Sequence, residues 1–322
     1  MTSLLIILAM PDEVIARYRD PLMAHFPELE INAVNHRDKI DPHIARTDIL
    51  LTFGAMMNDE VFRKAKSLKW VQVLGTGVDR VADSPMLAPE VILTNIRGIH
   101  GPPVAEAALA SMLALARQLP RSVRAQDRGE WDRFASRLLD GKQATIFGMG
   151  VIAEALAPRL KALGMRVIGV SSAPREAPGF DRVLPRERLA EALAEAHHFV
   201  LLTPHTRTTH RIVGEPVFRA MPKGGYFVNL GRGETVDEEA LVRVLEDGHL
   251  AGAALDVFSV EPLPKGHKFW AMKNVIITPH LGGFSVEYPD LSLPVVEANL
   301  RKFLAGEPQR MINIVNRAKA TQ

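Results

Sequence analysis

Short apolar runs alternate with segments of helical character along the whole chain. Runs at 4–8, 31–33, 49–52, 71–74 and 92–94 are separated by helical stretches such as 59–65. After residue 142 the alternation resumes, with runs at 144–147, 166–170, 199–202, 226–230, 251–257 and 275–278. Such alternation points to parallel sheets with crossover helices. The expected class is α/β: two doubly wound, Rossmann-like parallel-sheet domains with an interdomain cleft. Between them, 104–119 (VAEAALASMLALARQL) is apolar nearly all round, which predicts a helix buried between two layers at the hinge. A helical pattern over 295–304 follows a Pro- and Gly-rich stretch and is expected to cross back to the first lobe. The division is then 1–100 plus 285–322 as a substrate-binding domain and 101–284 as a dinucleotide-binding domain.

Composition narrows the class. A chain of 322 residues has room for two domains of ordinary size. Its 39 Lys and Arg against 37 Asp and Glu leave a formal charge of +2, scattered rather than gathered, so no nucleic-acid partner is expected. The absence of cysteine excludes disulfides, thiolate metal sites and a cysteine nucleophile. The histidines lack the spacing and carboxylate company of a metal site, so no metal is expected either. The first ten residues lack the basic region and cleavage site of a signal peptide, and 104–119 is too short to span a bilayer comfortably. A cytoplasmic protein without a membrane partner is expected.

Directly after the run ending at Phe147 comes Gly148-Met149-Gly150-Val151-Ile152-Ala153, a G-x-G-x-x-A sequence opening a helix. Gly148 permits the tight turn, Gly150 lets the backbone approach a pyrophosphate, and the helix N-terminus favours the phosphate charge. Val151 and Ile152 begin that helix. Pro158 lies inside it, where a kink or a cost of about 3 kcal/mol is expected. The next strand ends in Ser171-Ser172-Ala173-Pro174-Arg175, where NAD enzymes usually place an acid for the ribose 2′-hydroxyl. Hydroxyls and a guanidinium there favour NADP over NAD, with a merely solvated Arg175 and weak selectivity as the alternative.

Three polar residues follow three successive strands of the second lobe: Arg232, Glu261 and His280. In open α/β sheets, ligands bind outside the carboxyl ends of the strands. Arg232 offers a bidentate fork for a carboxylate, His280 a group that titrates near working pH, and Glu261 a partner that fixes the imidazole's tautomer and favours its protonated form. Reduction of a 2-keto acid needs such an anion clamp and proton donor. Other histidines carry weaker readings. His197 and His198 are expected at the C-terminal carbonyls of a helix over 189–196, a favourable place for a cation. His205 is open between an adenine-site and a surface role, and His100 between a place near the substrate and none. Phe53, Phe284 and Tyr288 are open between pocket and core.

The chain resembles the D-isomer-specific 2-hydroxyacid dehydrogenases over almost its full length. The matching segments are Val73-Leu-Gly-Thr-Gly-Val-Asp79, Thr94-Asn95 through Val104-Ala-Glu106, the loop at Gly148, Leu202-Thr203-Pro204, Asn229-Leu-Gly-Arg-Gly233, Ala254-Leu-Asp-Val-Phe258 with Glu261-Pro262, and Thr278-Pro-His280. The resemblance implies that Arg232 binds substrate, Glu261 and His280 form the acid–base pair, and Asp256 contacts the nicotinamide carboxamide. Thr203 and Pro204 would border the dinucleotide. The backbone amides around Gly75, Thr76 and Gly77 would hold the substrate carboxylate across the cleft, in a homodimer. Formate enzymes of the superfamily carry Gln at the position of Glu261. Phosphoglycerate enzymes usually append a regulatory domain, for which 322 residues leave no room. The expected activity is a glyoxylate- or hydroxypyruvate-type reductase using NADP, with NAD as the other cofactor. The alternatives are a dinucleotide-sensing protein of the same fold and an NAD-dependent dehydrogenase of a phosphorylated hydroxy acid.

Overall fold

The computed structural model describes residues 1–78 and 81–317. Asp79, the last residue of the glycine-rich segment beginning at Val73, lies outside them. The chain divides into two compact units, Met1–Ile99 with Val286–Gln322, and His100–Ser285.

In the first unit the order is β1 (Thr2–Ile7), α1 (Asp12–His25), β2 (Leu29–Val34), α2 (Asp41–Ile44), β3 (Ile49–Thr52), α3 (Asp59–Lys64), β4 (Trp70–Val73) and β5 (Ile92–Thr94). The five strands form one parallel sheet in the order β2-β1-β3-β4-β5. Successive residues of β1 enter different cores, which is why the strand has no polar face. Leu4 and Ile6 pack with Tyr18, Trp70 and Leu300, whereas Leu5 and Ile7 pack with Ile44, Val61 and Leu93.

The second unit runs α4 (Gly101–Ala116), α5 (Leu119–Asp127), β6 (Gln143–Phe147), α6 (Val151–Ala162), β7 (Arg166–Ser171), β8 (Arg182–Pro185), α7 (Leu189–Leu193), β9 (His198–Leu201), α8 (Glu215–Arg219), β10 (Gly225–Asn229), α9 (Glu238–Glu246), β11 (Leu250–Leu255) and β12 (Val275–Ile277). Its seven strands are again all parallel, in the order β12-β11-β10-β9-β6-β7-β8. The order reverses between β6 and β9, and ligands of such sheets bind at the carboxyl side of that switch point. The chain then returns to the first unit as α10 (Tyr288–Leu304).

The apolar runs locate their strands to within two residues. Only β8, a short edge strand whose Arg182, Val183 and Pro185 are not buried, has no apolar run to announce it. Three other expectations are corrected. The helix over 104–119 ends at Ala116, because Gln118, just before α5, adopts the left-handed region (φ 52°). Nor is it buried all round. Its Val104, Ala105, Ala108, Met112 and Leu115 face the sheet and α6, while Glu106 and Leu113 are exposed. The final helix starts at Tyr288, not 295, since Pro289 falls in the first turn, where no amide partner is needed. Pro158 lies inside α6, which is helical on both sides of it. Gly179 lies directly against that point, where a Cβ would stand 2.7 Å from the Pro158 nitrogen. The missing N–H thus falls where another backbone packs against the helix.

The third correction concerns His198. The chain has already turned into β9, so His198 is a buried strand residue, 1% exposed, in the middle of the sheet. Burial, reinforced by the positive charges of His197 and Arg137, pushes its pKa down to about 3, so it is neutral rather than cationic. His197 does meet the backbone of Glu195, just past the end of α7, but burial outweighs that contact and lowers its pKa, and its ring Nδ1 accepts from the Gln143 amide.

Candidate active site

Two loops meet at the carboxyl ends of the central strands of the second unit. Gly148 follows β6 with φ 106°, a backbone region closed to most side chains. It also packs against the start of the next strand's loop, where a Cβ would lie 2.7 Å from the Leu202 carbonyl carbon and 2.8 Å from the Thr203 nitrogen. Thr203 is buried and donates to the Phe147 carbonyl, tying the two loops together. Gly150, the residue preceding α6, is extended, and no side chain caps the helix. The space around a Cβ built there is open. The uncapped amides of a twelve-residue helix thus face room for a group without side-chain competition, as a phosphate requires. A nicotinamide dinucleotide fits this donor set, with Val151 and Ile152 in the first turn and Pro204 exposed beside Thr203.

At the end of β7, Ser171 is half-buried and receives the Ala173 amide at 3.1 Å, while Ser172 and Arg175 are exposed. Arg175 is ion-paired with Glu154 in the first turn of α6. Sequence reasoning missed Glu154, although its place one residue after the glycine motif was a usable signal.

The three polar residues after β10, β11 and β12 lie in one unit and are electrostatically coupled. His280 Nδ1 stands 2.8 Å from Glu261 Oε2. The other carboxylate oxygen, Oε1, accepts the Phe258 amide at 2.9 Å, fixing the carboxylate's orientation. Burial opposes the charge on Glu261, but the hydrogen bonds from His280 and Phe258 hold its pKa below the usual value. The hydrogen bond to Glu261 raises the His280 pKa above its ordinary value, against burial and the Arg232 charge. The pair therefore favours an imidazolium beside a carboxylate.

His280 has φ 55°, a strained conformation for a histidine. Asp256 supplies the restraint. Its carbonyl accepts the His280 amide, and its buried carboxylate accepts Thr278 Oγ1, the Leu281 amide and the Gly282 amide. Asp256 thereby organises the turn that carries the histidine. Arg232 sits on a loop held by its own backbone carbonyl, which accepts Thr235 Oγ1 at 2.6 Å and Asn229 Nδ2 at 3.3 Å. The adjacent Gly233 touches the Glu261 loop so closely that a Cβ would fall 1.8 Å from the Phe258 carbonyl carbon. This contact brings the Arg232 and Glu261 loops together.

His100, at the start of α4, lies against the same turn, its ring 2.9 Å from where a Gly283 Cβ would be. Burial and the nearby Arg232 push its pKa down to about 4. His205 instead pairs with His210 on an exposed loop, 3.1 Å apart. Phe284 is 49% exposed, and Phe53 is half-buried. Tyr288 belongs to the core of the first unit.

The amides of Gly75, Thr76 and Gly77 follow β4 in the first unit. Thr76 is exposed there, whereas Leu74 just before it is fully buried. Among the described residues no helix is long and apolar enough to cross a membrane.

Comparison with known proteins places these features in context. The model of the D-isomer specific 2-hydroxyacid dehydrogenase family, NAD binding domain, matches residues 109–282. A D-3-phosphoglycerate dehydrogenase of Methanocaldococcus jannaschii is 32% identical over 90% of this chain, which spans only 56% of that protein. A glyoxylate reductase of Pyrococcus horikoshii is 30% identical over 84% of each chain. The crystal structure of a D-isomer specific 2-hydroxyacid dehydrogenase from Xanthobacter autotrophicus Py2, in complex with NADPH and MES, superposes with a TM-score of 0.82. It is 30% identical, covering 99% of this chain and 100% of that one.

Proposed function

This chain belongs to the D-isomer specific 2-hydroxyacid dehydrogenase family of nicotinamide-dependent oxidoreductases, and from that premise we propose that it reduces a small 2-keto acid to the 2-hydroxy acid with NADPH. The observation that carries the reading is the Glu261–His280 pair at the strand ends, coupled to the charge of Arg232. Bound NADPH supplies the hydride. Arg232 grips the substrate's carboxylate and carbonyl through its planar fork. His280, kept protonated and correctly oriented by Glu261, delivers a proton to the carbonyl oxygen as it gains negative charge. The amides of Gly75, Thr76 and Gly77 are assigned to the carboxylate, and Asp256 to the nicotinamide carboxamide while it also holds the His280 turn. Gly148, Gly150, Val151, Ile152, Thr203 and Pro204 hold the dinucleotide.

NADP is preferred to NAD in this reading because no carboxylate ends β7, and Ser171, Ser172 and Arg175 offer hydroxyls and a guanidinium to a 2′-phosphate. The NADPH complex of the Xanthobacter relative and the glyoxylate reductase of Pyrococcus support the choice of cofactor and of a small keto acid. The same lack of an acid at 171 and 172 disfavours an NAD-dependent enzyme of a phosphorylated hydroxy acid.

A homodimer completes the proposal. On α5 and the segment after it, Leu119, Val123, Leu138 and above all Trp131, 92% exposed, leave apolar surface that a second copy would cover. Light scattering of the wild type and of Trp131→Glu tests this, with a monomeric variant expected and a monomeric wild type overturning it.

The activity test follows the nicotinamide absorbance with NADPH and NADH against glyoxylate, hydroxypyruvate, pyruvate and a longer 2-keto acid. Turnover favouring NADPH and a short acid is expected. Protein that binds NADPH yet reduces none of them would overturn the reductase reading and favour a sensing role.

A further inference from the structure

The loop after β4 is tied down through its carbonyls. The hydroxyl of Tyr288, in the first turn of α10, donates to the Leu74 carbonyl, a contact buried in the first unit. The Ile96 amide donates to the Gly75 carbonyl at 3.2 Å, and Asn95 Nδ2 donates to the Thr76 carbonyl at 2.8 Å. In a planar trans peptide the N–H of one residue points opposite to the carbonyl of the residue before it. Engaging the carbonyls of Leu74, Gly75 and Thr76 therefore sets the directions of the Gly75, Thr76 and Gly77 amides, each away from the group that holds its carbonyl. Successive amides aimed out of a turn make an anion-binding concavity.

Of the three ties, that of Tyr288 reaches furthest along the chain and is the most deeply set. Tyr288 is 4% exposed, its ring lies 6.1 Å from that of Phe53, and its own carbonyl accepts Ser292 Oγ at 2.8 Å. Ser292 Oγ in turn lies 3.1 Å from the Tyr18 hydroxyl. Burial raises the Tyr288 pKa, which keeps the hydroxyl protonated and a donor across the working range.

We infer that Tyr288 is a positioning residue for the substrate's carboxylate: through the Leu74 carbonyl it holds the Gly75 amide in the orientation that receives the anion. The inference rests on the assignment of Gly75, Thr76 and Gly77 to the keto-acid carboxylate. It predicts a defect in substrate binding rather than in chemistry, because the contact that carries it is with the Leu74 carbonyl and acts on the anion-binding amides.

The test is Tyr288→Phe, which keeps the ring and removes the hydroxyl, with Ser292→Ala as a control that perturbs the same buried cluster without touching Leu74. The KM of the keto acid and the inhibition constant of oxamate, a non-reacting carboxylate analogue, are expected to rise together by about tenfold in Tyr288→Phe. The kcat at saturation and the KM of NADPH should stay within about twofold of wild type in that variant, and all four in Ser292→Ala. If Tyr288→Phe does not fold, Asn95→Ala, which releases the Thr76 carbonyl from the surface, should show the same split. Unchanged KM and oxamate inhibition in Tyr288→Phe, or an equal rise in Ser292→Ala, would overturn the inference while leaving the reductase reading intact. Failure of the wild type to turn over any keto acid overturns that reading instead.

Discussion

Glu261 holds His280 with one carboxylate oxygen and its own loop with the other: Oε2 lies 2.8 Å from the imidazole Nδ1, and Oε1 accepts the Phe258 amide at 2.9 Å. The second contact prevents the carboxylate from turning away, so the first can fix both the tautomer and the charge of the ring. In the proposed reduction the protonated ring is the active form. Since the pair raises the His280 pKa above 6.5, kcat/KM for reduction should fall as pH rises through that elevated value. Glu261→Gln removes the negative partner, so the falling limb should move to lower pH. His280→Ala should cost about 10²- to 10⁴-fold in turnover. A pH profile in Glu261→Gln that coincides with wild type would refute the pairing as the source of the shift.

Arg175 is engaged by Glu154. If it receives the 2′-phosphate, Glu154 is its competitor. Arg175→Ala should raise the KM of NADPH and leave that of NADH unchanged, whereas Glu154→Gln should widen the preference for NADPH. The ratio of kcat/KM for the two cofactors is the measurement. An unaltered ratio in both variants would remove this pair from cofactor selection.

The neutral, buried His198 makes the second unit acid-sensitive. Its folded pKa is depressed to about 3, so the unfolded chain binds the proton more readily. The stability it permits is complete above pH 6.5 and is lost as pH falls towards 3, at about 1.4 kcal/mol per pH unit. Its Nδ1 finds no partner among the described residues, and its ring lies 5.2 Å from that of Tyr226. Replacement by Phe should therefore be tolerated and should flatten the acid limb of stability, measured as the urea midpoint between pH 4 and 7. An acid limb as steep as wild type in His198→Phe would assign that sensitivity elsewhere.

Gly233 allows the Arg232 loop to meet the Glu261 loop. In Gly233→Ala the added methyl would meet backbone at 1.8 Å, which no side-chain adjustment relieves. Overpacking of this kind costs about 1–3 kcal/mol, and separating the two loops should also reduce turnover. Denaturation midpoint and kcat should both fall. A fully active variant would show that the spacing of the two loops is not critical.

The parallel sheets were legible in the sequence because a strand covered on both faces must be apolar at every position. In β1, Leu4 and Ile6 feed one core and Leu5 and Ile7 the other, and the run announces itself. The turn at Gly148 and the residues ending β10, β11 and β12 were legible for a related reason. Local chemistry fixes where a strand stops, and the sheet brings successive strand ends to one edge. The dissected ends of helices were less so. The left-handed turn at Gln118 interrupts an apolar run with no glycine to mark it. His198 looked like a helix-end cation, but the chain turns within two residues and places it in a central strand.

By itself, then, the chain determined its class, its strands apart from β8, and the placement of Arg232, Glu261 and His280 after successive strands, since each depends on neighbours in sequence or on rules of sheet geometry. Tertiary structure alone decided what those groups feel and what holds them. Asp256 reaches Leu281 and Gly282 across 25 and 26 residues, Tyr288 reaches Leu74 across 214, and Gly179 finds Pro158 on a neighbouring element. No periodicity encodes such pairs, because burial and hydrogen-bond satisfaction are set by whichever segments the packed fold happens to bring together.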